Sequence, residues 1–551
     1  MGRRILPHGQ GSSFADFPLS PGEIVIDQRG RVWTGDGTRL GGVPAYQRGV
    51  SIWDFAEGAD LSDPTLDTYD AWIAAKAWCK TRNIMALYVP ATAPTGYRID
   101  SSLIWDAPID IYGDSTVPYL GNSGARGPGS WLWFNHTGPG LTLYDDAGGE
   151  QCGKVSGIGS YRNQPAFGPG WAPYDHDFDF EALKGFWQLD DIMAWNCTRF
   201  LRHDFAGAGK LTCGALAANP YKVGLYVDRC NDIGFIQSLR FFPFKSADTN
   251  VVQYTYANLD NMVFKRVDGF KIAQYFGIFP RRHLVLALGG TGIPTRIDIT
   301  DMYCDVHGGN AIEIEAGANG ASFKIGMLDA QGAVLADGWA AGSDHGIVIA
   351  ADNAYGLILG SELDRYNYEA ALITGAGSLL QFAAAPSLDD YNLSNTNAPA
   401  YGVNNAASRM YIGDGNIPTA QHVGPHINSA VRISSPYWAG QSPVTFTPAS
   451  GTIGTVSSTG MQQNRRGQTA QLQARLAVTT AGTGTGYISA TVMLATEGGG
   501  IFPITGYDSG AGKAVEGYVQ GTTLYFRHTD GTYAGQTGAD VAIYATYKCS
   551  L

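Results

Sequence analysis

Carboxylates return at one point of a repeating pattern in this chain. Asp301 and Asp305 follow Arg296-Ile-Asp-Ile, Asp329 follows Phe323-Lys-Ile-Gly, Glu362 and Asp364 follow Leu357-Ile-Leu-Gly, and Asp389-Asp390 follow Leu379-Leu-Gln-Phe. If the segments before them are strands of successive coils, the acids stack into a column just beyond the strand ends. Neighbouring coils then lie ~4.8 Å apart and alternate residues on one strand ~6.5–7 Å apart. Two carboxyls ~5–5.5 Å apart suit retaining glycoside hydrolysis and ~6.5–9.5 Å suit the inverting reaction, so the column leaves both open. Glu362 and Asp364 are the first choice, with Asp329 one coil earlier as partner across a groove, and Asp301 and Asp305 extend the set. A carboxyl crowded by like charges and aromatic walls keeps its proton and serves as general acid, while the other activates water or attacks. Arg365, Tyr366 and Tyr368 follow on the same stretch and are expected to hold the sugar. The competing reading of any single acid is a solvated ledge, or an ion pair with Arg365 or a nearby lysine.

Other constellations rank lower. Glu313 and Glu315 alternate with Ile312 and Ile314, so both face out from one strand, as a carboxyl pair or as ordinary solvent-facing residues. His307, near Tyr303 and Asp305, has the chemistry of a base for β-elimination, with Arg296 or Lys324 to neutralise a uronate. The many acids around them would repel that uronate, which makes a lyase the second reading. Asp177, Asp179 and Glu181 alternate with Phe178 and Phe180 after the loop that begins at Pro165, either covering one end of a groove or forming an edge strand beside a packed loop. His422 and His426 are four apart, but Gly424-Pro425 between them breaks the helix that a metal pair needs, so they read as loop residues. Gly289-Gly290-Thr291-Gly292 lacks a βαβ context and reads as a turn. No ligand spacing argues for a metal, and no cofactor is expected.

The elements that must position these residues follow a two-beat repeat. Gly224-Leu-Tyr-Val-Asp is followed by Gly234-Phe-Ile-Gln-Ser, and paired β-rich pentads recur at 262 and 269, 283 and 295, 311 and 322, 346 and 356, and 370 and 378. The starts within a pair lie 10, 7, 12, 11, 10 and 8 residues apart, with longer, irregular returns between pairs. That is the rhythm of a parallel β-solenoid, whose coil repeats every ~20–50 residues. Such a fold presents a long flat wall suited to a polymer. Gly at 73 of 551 residues, only 16% charged residues and 12% aromatics agree with many turns and half-buried strands. A net charge of −12 without a basic cluster argues against nucleic acid. The seven cysteines are odd in number, lack CxxC spacing and read as reduced core residues. No apolar run approaches the ~18 residues of a membrane span, and Met1-Gly-Arg-Arg opens no export signal. In residues 1–45, Glu23-Ile-Val-Ile-Asp and Arg31-Val-Trp flank Gly30 as a hairpin.

From Trp53 the order is Asp54-Phe-Ala-Glu-Gly-Ala-Asp, then Asp67 as N-cap of an apolar-periodic helix (Tyr69, Trp72, Ile73, Ala77) that stops at Asn83, then Leu87-Tyr-Val-Pro and Tyr97-Arg-Ile. This order resembles the opening of the pectate-lyase-like right-handed β-helix of bacteriophage tailspike depolymerases, although two of the usual glycines are missing after Asp54. Residues 442–551, with Gly482-Thr-Gly-Thr-Gly-Tyr-Ile and the closing Val541-Ala-Ile-Tyr-Ala-Thr-Tyr, resemble the small β-rich ends of phage fibres; the alternation Ala470-Gln-Leu-Gln-Ala-Arg-Leu by itself predicts a β-sandwich. The expected fold is all-β: a right-handed parallel β-helix over 46–430 with a capping helix near 67–83, then a β-sandwich over 431–551, assembled as a homotrimer that covers the apolar edges of a lone solenoid. The resemblance implies a virion protein that docks to the phage tail or baseplate through residues 1–45 and binds and depolymerises a bacterial surface polysaccharide, by hydrolysis before elimination. A non-catalytic receptor-binding fibre is the alternative from a different class. A secreted pectinase is disfavoured by the absence of an export signal.

Overall fold

The computed structural model describes residues 50–549 except 93–94, 117–125, 145–151, 169, 182–185, 205–210, 243–248, 290–293, 333–344, 367, 385, 392–400, 405–406, 415–430, 434–438, 442–444, 467–468 and 493–494; before residue 50 it describes four short strands. Two of these, Ile24–Ile26 and Val32–Thr34, pair antiparallel, as the expected hairpin requires. His422 and His426 lie outside the described residues. The chain forms two compact units, 1–284 with 289–296, and 285–288 with 297–551.

In the first unit, each coil contributes one long and one short strand. The long strands Cys152–Tyr161, Phe186–Trp195, Leu211–Ala218, Cys230–Phe241 and Val267–Ile278 pair in parallel in that order. The short strands Leu141–Tyr144, His176–Glu181, Arg199–Asp204, Val223–Asp228 and Asp260–Phe264 do the same in a second sheet. These are the two pentads of each beat, now seen on different sheets. Helix α1 (Tyr69–Arg82) ends at Asn83 in the left-handed conformation, φ 54°, as the sequence suggests. Its N-cap is Thr68, one residue later than expected, because the Asp67 carboxylate accepts both the Tyr69 and the Asp100 amides and is thereby held outside the helix. The buried stripe is Ala71, Trp72, Ala75 and Cys79, so of the predicted apolar residues only Trp72 enters the core. Trp72 meets Tyr97 and Trp105 edge-on, with centroids 6.1 and 6.3 Å away, and seals the coil beneath α1.

The second unit repeats the scheme. Ser322–Gln331 pairs in parallel with Tyr355–Tyr366, and the latter with both Leu379–Ala384 and Ser387–Tyr391. In the other sheet Ile312–Ile314, Ile347–Ile349, Ala371–Ile373 and Tyr401–Val403 are in register, so that Ile314, Ile349, Ile373 and Val403 stack in one buried column. Burial of each such side chain contributes about 1.5–3 kcal/mol, repeated coil after coil. From Ala439 to Lys548 a nine-stranded antiparallel sheet curls around its own core of Leu472, Leu476, Ile488, Phe526, Val541 and Ile543. Strand Thr469–Ala481 there alternates exposed and buried residues, the pattern read from Ala470 onward. Among the described residues no helix is long and apolar enough to cross a membrane.

Candidate acidic ledge

The acids do not follow the strands; they are part of them. Arg296–Asp305, Ser322–Gln331 and Tyr355–Tyr366 each run on past the pentad. Midway, the in–out alternation slips by one residue: Thr300 and Asp301 both lack burial, as do Gly326 and Met327, and Leu359 and Gly360. A slip of one residue sends the following odd-numbered or even-numbered set to the opposite face. Cys304, Leu328, Ala330 and Leu363 therefore point inward, and Tyr303, Asp305, Asp329, Gln331, Glu362 and Asp364 line the outer face beyond the corner. Asp301 sits on the corner itself and is exposed.

Register places Asp329 directly beside Glu362, and Gln331 beside Asp364. One rung of a parallel ladder separates Asp329 from Glu362, ~4.8 Å between backbones. The pair at the centre is thus Asp329 with Glu362, on neighbouring coils, while Glu362 and Asp364 are alternate residues of one strand. Asp389 lies beside Asp364 in register. Burial pushes the Asp329 carboxyl above the ordinary carboxylate range, and the charges of Glu362 and Asp305 push it further. Asp305 is also raised, by burial, with Arg365 acting against it. The Tyr303 ring, 40% exposed, stands within the field of Asp329, Asp305 and Glu362, and burial together with those charges raises its phenol.

Arg365 has φ +63° and Val306 has φ +33°, both in the left-handed region that non-glycine residues avoid. Strain of this kind costs of order 1–3 kcal/mol and persists only where surrounding contacts impose it. At Arg365 the consequence is visible: its guanidinium Nε reaches the Asp364 carboxylate at 3.5 Å, and the next residue, Tyr366, swings into the core.

Tyr366 and His307, expected at the sugar, lie in the core instead. Tyr366 is fully buried and donates its hydroxyl to the Ala330 carbonyl at 2.8 Å, so it supports the ledge from beneath. His307 is fully buried against the Tyr366 ring at 5.7 Å, and burial pushes its imidazole down to about 3, which removes it as a surface base. Glu313 lies on the other sheet, in register with Val348, and accepts from Asn310 at 3.0 Å; Glu315 follows the same strand. Neither joins the column. Tyr368, 41% exposed, stacks on His345 with centroids 5.6 Å apart, and His345 reaches Glu369 at 3.1 Å and Asn310 at 3.3 Å. Asp177 and Asp179 cover no groove: both are buried in ion pairs with Arg162 and Arg202, inside a sheet flanked on both sides.

The sequence reading missed Gln331, Met327 and Leu359. Gln331 is the polar neighbour of Asp364, and Met327 and Leu359, 45% and 44% exposed, put apolar surface at the corner. The slip in alternation at Gly326-Met327 and Leu359-Gly360 is the signal that would have found them.

No family model matches the chain, and no curated protein is similar to it at a significant level. Its structure is similar to solved phage tailspikes. The tailspike gp42 of Acinetobacter phage vb_AbaP_AS12 is 10% identical over 89% of this chain and 92% of its own, with a TM-score of 0.46. A tailspike mutant of Escherichia coli bacteriophage HK620 is 8% identical over 91% and 93%, TM-score 0.45. The Dettilon tailspike protein gp208 is 11% identical over 91% and 94%, TM-score 0.40.

Proposed function

We propose that the chain is a phage tailspike whose acidic ledge binds and cleaves a bacterial surface polysaccharide by endo-glycoside hydrolysis. The observation that carries this reading is the register of Asp329 beside Glu362 on an outer face that also bears the exposed Tyr303 ring and the apolar Met327 and Leu359. Aromatic and apolar surfaces stack on the C–H faces of sugars, and paired carboxyls do the bond chemistry. Asp329 is the general acid, because burial and two like charges raise its pKa and so favour the proton-bearing form. Glu362 is its partner, attacking the anomeric carbon or activating water. Asp364, turned toward Arg365, positions the sugar rather than reacting with it.

The test is to mix the protein with capsular, exopolysaccharide and lipopolysaccharide preparations and follow polymer size, reducing ends and ultraviolet absorbance together. Shorter chains with new reducing ends and no absorbance support hydrolysis. Absorbance from unsaturated uronates would replace it with elimination, and binding without shortening would leave a receptor-binding fibre.

If Asp329 is the acid, the rate falls as pH rises through its raised pKa, since only the protonated form donates. Asp305→Asn removes one of the charges that raise it, so the alkaline limb should move to lower pH. At ~7 Å in near-aqueous dielectric Coulomb's law gives about 0.6 kcal/mol, roughly half a pH unit. An unmoved limb in the pH–rate profile would assign the proton to another group.

The assembly is proposed as a homotrimer attached to the phage tail or baseplate through residues 1–45. Ile104, Ile233 and Phe235 of the first unit are exposed at 50%, 61% and 40%, apolar surface that association covers. Light scattering should give three times the chain mass; a monomer overturns the assembly.

A further inference from the structure

The corner of the acidic ledge holds apolar surface that bond cleavage does not use. Met327 and Leu359 are 45% and 44% exposed there, and each faces a glycine on the adjoining coil. Met327 is in register with Gly360, and a Cβ at Gly360 would come within 3.2 Å of the Met327 thioether, so the side chain lies across the glycine. By the same register Leu359 comes level with Gly326. A Cβ at Gly326 would in turn meet the Thr300 carbonyl oxygen at 2.5 Å, which brings Asp301, the next residue on its strand, alongside Met327. The two apolar side chains therefore stand without bulky neighbours on the adjoining strand, with the exposed Asp301 at their edge.

Asp329 follows Met327 by two residues on one strand, roughly 7 Å, within the reach of one pyranose and its substituents. Asp301, Asp305, Asp329, Glu362 and Asp364 surround that span. On these three strands the cation beyond the corner is Arg365, and its Nε already meets Asp364 at 3.5 Å. Arg296 and Lys324 stand across the corner, five residues before Asp301 and Asp329. An acidic sugar would bring a further negative charge into this field, whereas a neutral one can donate hydrogen bonds to the carboxylates. An acetamido group meets both demands in one substituent: its methyl suits the apolar corner, and its N–H donates to an acid. The methyl of a 6-deoxy sugar meets only the first.

We infer that the ledge takes an N-acetylhexosamine of the polymer, with the acetyl methyl seated against Met327 and Leu359 and the amide N–H donated to the flanking carboxylates. This rests on the polysaccharide-cleaving reading and adds to it the class of sugar. Met327 and Leu359 are then specificity residues, separate from the pair that breaks the bond.

Saturation-transfer NMR on the full chain with N-acetyl-D-glucosamine, N-acetyl-D-galactosamine and N-acetyl-D-mannosamine, against D-glucose, D-galactose, D-mannose, L-rhamnose and D-glucuronate, tests it. At least one N-acetylated sugar should bind at millimolar concentration, with its acetyl methyl the most strongly saturated group. Its parent hexose should bind at least about threefold more weakly, the effect of one lost methyl contact, and D-glucuronate should give no signal. Met327→Ser and Leu359→Ser should each weaken the binding about threefold or more, while Met327→Leu keeps it. Both side chains are exposed, so these changes leave the core intact. Binding by none of the N-acetylated sugars, equal binding of the parent hexoses or of L-rhamnose, binding of D-glucuronate, or indifference to both serine variants overturns the inference. A polymer that the chain shortens but that holds no N-acetylhexosamine also overturns it and leaves polysaccharide cleavage standing. Loss of the wider reading has a separate signature: the unmodified chain would neither bind nor shorten any surface polysaccharide.

Discussion

Asp329→Asn should cut the rate of polymer cleavage by about 10²–10⁴-fold while leaving affinity for the polymer nearly unchanged. Asparagine keeps the size and the rung position beside Glu362 but has no proton to give. Glu362→Gln should lose a comparable factor, because the second carboxyl acts in the same bond-breaking event and the two form a unit whose losses do not add. Asp364→Asn is the control. Its carboxyl faces Arg365 at 3.5 Å and stands beside Gln331, so its loss should raise KM more than it lowers kcat. Equal losses of kcat at all three positions would sink the assignment of roles, and full activity in Asp329→Asn would remove this residue as the acid.

Asp177→Ala should destabilise the first unit by about 3–5 kcal/mol, the largest stability loss expected from any single change discussed. Arg162 and Asp177 both have wholly buried side chains, joined at 2.8 Å, with the Ser160 hydroxyl donating to the other carboxylate oxygen at 2.6 Å. Arg162 also donates to the carbonyls of Phe134, His136 and Gly138, so it pins the stretch of chain that leaves the strand ending at Phe134. Removing the carboxylate strands a guanidinium charge away from water. Burial alone raises the Asp177 pKa, while Arg162 and Ser160 oppose that rise, so the pair stands or falls together. The double change Arg162→Met with Asp177→Leu should recover part of the loss, because apolar isosteres bring no charge to desolvate. The denaturation midpoint measures both; a single variant as stable as the unaltered chain would refute the argument.

These two predictions concern acids that the sequence treats alike. Asp177 and Asp179 alternate with phenylalanines just as Glu313 and Glu315 alternate with isoleucines, and alternation says only that the two sets face opposite ways. It does not say that both ways are covered. In the strand His176–Glu181 both are, and the acids became buried partners of arginines that precede or follow by 15 and 23 residues. Likewise Tyr366 and Tyr368 look equivalent in sequence, yet the positive φ at Arg365 sends the first inward, and Tyr368 is left exposed.

The pentads, their pairing, the stop of α1 at Asn83 and the alternating strands after Ala470 were determined by the sequence alone. Each depends on neighbours within a few residues: β-branched runs, a left-handed cap, a period of two. The solenoid followed because those local signals repeat, and repetition forces stacking. The tertiary structure decided where the strands end, which side of the corner each acid occupies, and that Asp329 stands beside Glu362 in register. Those outcomes depend on register between coils 33 residues apart and on the slip at the corner. Register is a property of paired backbones, so no single stretch of residues carries it.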